Sequence, residues 1–130
     1  MWSERAEAGV PAAGNGRGGQ AAGPMRGRIV ARAAQVIALV AADRGVPSTS
    51  LLEGQRGVAP VAEARQLAMY LMHVVDGCLY ADIGKVFGRD RTTVAHACAS
   101  IEERREAVVY DEAVDRLERM LAETETGAQP

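Results

Sequence analysis

Residues 81–101 read ADIGKVFGRDRTTVAHACASI, and the order of apolar residues, glycine and acid within them decides the fold. Ile83, Val86 and Phe87 recur at helical spacing on one face. Beyond the glycine, Val94, Ala97, Cys98 and Ile101 repeat an i, i+3, i+4, i+7 stripe. Gly88 lacks a Cβ and suits the left-handed conformation that ends a helix. Asp90 is a natural N-cap for the second helix, because its carboxylate accepts from the free amides of a first turn. Two short helices joined by a three-residue break form a helix-turn-helix, with Arg91, Thr92 and Thr93 projecting where such a motif meets base edges. The expected partner is therefore double-stranded DNA.

Working outward, the flanking sequence predicts more helices and no strands. Ile29, Ala33, Val36, Ile37 and Val40 mark a helix from about Arg28 to Asp43, with Arg28 and Arg32 in water and Gly45 and Pro47 closing it. Ser48–Pro60 has turn chemistry, with Leu51 and Leu52 dipping into the core and a one-turn helix around Ser50–Glu53. Ala64, Leu67, Ala68, Leu71 and Val75 predict a helix over about 61–75, ended by Gly77. Tyr110, Val114, Leu117 and Leu121 predict the last, over about 111–123. The expectation is an all-α domain of about five helices over residues 28–123. A Gly/Ala-rich tail without order (1–27) precedes it, and a frayed end (124–130) follows. Gly14, Gly16 and Gly19 have G-x-G-x-x-G spacing, but without a preceding strand they read as tail.

At 130 residues the chain is long enough for one core. Its formal net charge of −2 looks wrong for a nucleic-acid binder until it is divided. Residues 25–110 hold eleven Lys and Arg against nine acids, net +2. Residues 111–130 hold two Arg against six acids, net −4, and residues 1–24 balance. Local placement of charge must carry the electrostatics. No apolar run approaches a membrane span and no signal-peptide core opens the chain. Two cysteines read as small core residues rather than a disulfide framework, and the expected location is cytoplasmic, on the nucleoid. No metal site, cofactor or catalytic constellation is expected: His73, Cys78, His96 and Cys98 are oddly spaced, and there is no G-x-x-x-x-G-K-[ST] loop.

ARQLAMYL at 64–71, ADIGKVFG at 81–88 and RDRTTVAHACASIEE at 89–103 together resemble the C-terminal, Trp-repressor-like DNA-binding domain of the bacterial replication initiator DnaA. The likeness covers about residues 28–122. It implies a free-standing domain that binds duplex DNA sequence-specifically and regulates transcription or replication initiation, without the initiator's ATPase. By position it assigns base contacts to Asp90, Arg91 and Thr92 and a minor-groove contact to Arg56. Phosphate contacts fall to Arg65, Gln66, Thr93, His73 and Lys85. These suit the residue types: a threonine offers a methyl to thymine and a hydroxyl to a polar edge, an arginine favours guanine, and phosphate contacts fix register.

Three departures qualify the likeness. The loop before the 61–75 helix, EGQRGVAPVAE, holds Arg56 as its only base where the family has several, so weaker binding is expected unless Arg26, Arg28 and Arg32 compensate. Arg91 stands where the family usually has histidine, which shifts the bound sequence. The turn has one glycine where the family has two. The alternative is a protein-interaction module that kept the fold without DNA binding. The sequence shows no dimer surface, although pairing would help a single reading helix.

Overall fold

The computed structural model describes the backbone of residues 11–53 and 58–127 and the side chains of residues 27–53 and 58–124. The described residues form six α-helices: α1 (Pro11–Arg44), α2 (Ser48–Leu52), α3 (Ala59–Val74), α4 (Tyr80–Phe87), α5 (Arg91–Arg104) and α6 (Val108–Gly127). The chain divides into two compact units, Met1–Ala31 and Arg32–Pro130. In the first, the backbone is helical from Pro11, where the sequence predicts no order before Arg28. Arg28 and Val30 are exposed there.

The second unit is built around α3, which packs against α2, α4 and α5. Five inward positions are expected for this helix. Met69, Tyr70 and Met72 are buried as well, while Val75 lies just past its end, half-buried. A helix enclosed by three others is apolar nearly all round, so the one-sided stripe understates its burial. Around it lie Ala33, Val36, Ile37, Val40 and Ala41 of α1, Leu51 of α2, Ile83 and Phe87 of α4, the four stripe residues of α5, and Val114, Leu117 and Leu121 of α6. Leu52, expected in the core, is 47% exposed, since a helix of one turn can turn only one of two adjacent leucines inward.

Polar side chains tie the elements together. Arg32, expected in water, donates from Nε to both Asp76 oxygens at 3.0 Å and from Nη2 to the Leu121 carbonyl at 2.8 Å. It thereby joins α1, the turn after α3 and the end of α6, and is not a spare cation for DNA. Arg105 donates to Asp111 (2.6 Å), Glu118 (2.7 Å) and the Tyr70 hydroxyl (2.9 Å), which itself donates to Glu102 at 3.0 Å. Burial would lower the Arg105 pKa, but these partners raise it. Arg44 grips Glu63 through Nε (3.0 Å) and Nη2 (3.2 Å), and Tyr110 donates to the same carboxylate. Burial and Glu63 push the Tyr110 hydroxyl up to about 12.

Candidate nucleic-acid interface

The turn follows from its residues. Gly88 has φ +69°, the left-handed value a Cβ would oppose, and its amide closes on the Gly84 carbonyl. Arg89 also donates its amide to Gly84, at 2.9 Å. Asp90 is extended, and its Oδ1 accepts from the Thr93 amide at 2.8 Å, starting α5. Arg91, Thr92 and Thr93 follow on the first turn of α5, all exposed, above the buried Val94.

The carboxylate of Asp90 is thus engaged in capping. The Thr93 amide and hydroxyl hold its pKa below the usual carboxylate range. Because the folded value is depressed, the cap contributes stability above the unfolded value and loses it as pH falls through the folded one. Asp90→Asn, which can still cap, is therefore expected to remove this part of the acid destabilisation. Comparing thermal midpoints of the two proteins from neutral to acid pH checks it.

A shallow groove of about 200 Å³ runs between α3 and α5. Ala62, Arg65, Gln66 and Met69 line it from α3, Arg89 from the turn, and Thr93, His96, Ala97 and Ser100 from α5. Three expected phosphate contacts, Arg65, Gln66 and Thr93, therefore share one depression. Arg65 is only 7% exposed, with Nε on the Leu51 carbonyl (3.0 Å) and Nη2 on the Ser50 carbonyl (3.1 Å). Burial first, and then the charge of Arg89, lower its pKa, while Glu53 opposes them.

Of the other residues assigned to phosphate, His73 and Lys85 do not line the groove. His73 is half-buried near the end of α3, its Nδ1 2.9 Å from the Cys78 carbonyl and its ring 4.4 Å from that of Tyr80. Lys85 is exposed in the last turn of α4. Arg56 and Arg26 lie outside the residues whose side chains are described. Arg89, His96 and Ser100 enter the groove without having been singled out for it. Arg89 carried a signal, as a base in the turn itself, whereas no pattern marked the exposed His96 or the half-buried Ser100.

Elsewhere the chemistry is thin. Cys98 is buried, which pushes its thiol up to about 12, and Cys78 is half-buried and also raised by burial. Among the described residues, no group of three or more His, Cys, Asp or Glu could hold a metal ion, and no helix is long and apolar enough to cross a membrane.

The bacterial DnaA protein helix-turn-helix family matches residues 33–101. The chromosomal replication initiator proteins DnaA of Rickettsia canadensis (strain McKiel) and Rickettsia massiliae (strain Mtu5) are each 45% identical over 53 residues. That is 40% of this chain and 11% of each relative, so the chain spans about a tenth of their length. Among solved structures, one described as a DNA replication initiation factor superposes with a TM-score of 0.67 at 30% identity, over 74% of this chain and 30% of that one. A replication initiator DnaA bound to AMPPCP and single-stranded DNA gives 0.68 at 27% identity, over 80% and 32%. A fold of this kind, a turn capped at Asp90 and a match across 33–101 place the chain together: it belongs to the family of bacterial DnaA helix-turn-helix domains, a DNA-binding family and not a catalytic one.

Proposed function

We propose that the chain binds double-stranded DNA in a sequence-dependent manner, with the first turn of α5 in the major groove, and that it regulates transcription or replication initiation by occupying such sites. The observation that carries this reading is the exposure of Arg91, Thr92 and Thr93 on one capped turn, beside a groove holding Arg65, Gln66 and Arg89. Arg91 and Thr92 read bases: a guanidinium is bidentate to guanine, and a threonine meets a thymine methyl. Asp90 adds little to base reading while its oxygen caps the helix. Thr93 and Gln66 face the backbone from the groove, with the buried Arg65 in its wall, and Lys85 approaches it from α4. The amides at the start of α5 favour a phosphate as well.

Selection from random duplex DNA, followed by fluorescence titration on the selected site, tests the proposal. Arg91→Ala and Thr92→Ala are each expected to cost about 1–3 kcal/mol of binding and to relax the preference at one position. Failure to retain any duplex at low salt would sink this reading. A partner protein covering Thr92 in place of DNA would establish the interaction-module alternative.

A further inference from the structure

We infer that Arg89 is itself a DNA-backbone contact, holding a phosphate at the α3–α5 groove, while Arg65 is the positioning residue beside it. The inference rests on the reading of the chain as a duplex binder. Arg89 is fixed in both backbone and side chain. Its amide donates to the Gly84 carbonyl at 2.9 Å, and its own carbonyl oxygen would stand 2.3 Å from a Cβ at Gly84. Its Nη1 donates to the Phe87 carbonyl at 3.0 Å. An arginine held this way has little rotamer freedom left to lose on binding.

Arg65 is placed differently. Two of its nitrogens are engaged by the carbonyls at the end of α2, and little of it meets solvent. It fixes α2 against α3 and contributes a buried positive charge to the groove wall. Arg89 is half-buried and lines the same groove from the turn, close enough that its charge disfavours that of Arg65. An anion relieves two neighbouring guanidinium groups, and a guanidinium is a strong donor to phosphate oxygens. The phosphate of a duplex is the anion that fits. Thr93, which also lines the groove, stands on the same turn as the exposed Arg91 and Thr92. A strand whose bases meet those two side chains passes its backbone beside the groove.

The test is titration of the full chain with specific and random duplexes between 50 and 200 mM salt. Arg89→Gln is expected to weaken both duplexes by the same factor and to flatten the log affinity–log salt slope by about 0.9, the share of one phosphate. The deficit then shrinks about 3.5-fold across that salt range. Arg89→Lys keeps the slope. Arg65→Lys, which puts a single ammonium where the guanidinium holds the two carbonyls with two nitrogens, lowers the melting midpoint and leaves the slope intact. Circular dichroism confirms the helical fold of each variant, and Arg89→Met replaces the glutamine variant should that one not fold. An unchanged slope in a folded neutral variant overturns this inference alone, as does an equal loss of slope in Arg89→Lys. Absence of duplex binding by the unsubstituted chain overturns the functional reading and this inference with it.

Discussion

Replacing Phe87 with alanine is expected to destabilise the domain by about 3–5 kcal/mol, the usual cost of emptying a buried aromatic site. Phe87 is 2% exposed at the last position of α4, one residue before the turn. Its ring helps hold α4 to the rest of the core, and the surrounding helices cannot collapse into the space without moving the turn. A small domain has only about 5–15 kcal/mol of total stability, so the loss is a large share of it. Urea unfolding followed by circular dichroism measures it. A loss below about 1 kcal/mol would mean that α4 is held mainly by other contacts.

The second large effect is expected at Gly84, where alanine should destabilise by about 3 kcal/mol, the upper part of the range for an overpacked core. On an open helix the same change stabilises by about 1 kcal/mol, because glycine is the poorer helix former. Here the added Cβ would lie 2.3 Å from the Arg89 carbonyl oxygen. That atom is backbone and cannot swing aside, so steric cost outweighs the propensity gain. Relief requires α4 and the turn to separate, which also breaks the bond from the Arg89 amide to Gly84. DNA affinity should fall with stability, since α5 starts from that turn. A raised denaturation midpoint in Gly84→Ala would contradict the close approach.

The parts of this fold that were legible in the sequence are those set by local chemistry. Gly45, Gly77 and Gly88 all have φ near +70° at helix ends, where only glycine is at ease. Asp90 caps α5, and the four stripe residues of that helix are buried. What the sequence hid are side chains whose partners are distant carbonyls. Arg65 on Ser50 and Leu51, and Arg32 on Leu121, leave no pattern, because every residue carries a carbonyl. For the same reason, the framework bonds made by the Arg32 and Arg65 guanidinium groups were not legible. At the candidate interface, the exposed first turn of α5 and the capped turn before it were legible. The groove that gathers Arg65, Arg89 and Thr93 was not, since it exists only once α3 and α5 are packed together.

The side chains at 91 and 92 are exposed, while neighbouring Asp90 secures the helix start and Val94 anchors it below. Under the proposed function, recognition and folding therefore draw on different atoms of the same turn. Substitutions at those two exposed positions then alter the proposed recognition surface at little expense in stability, while its scaffold stays constant.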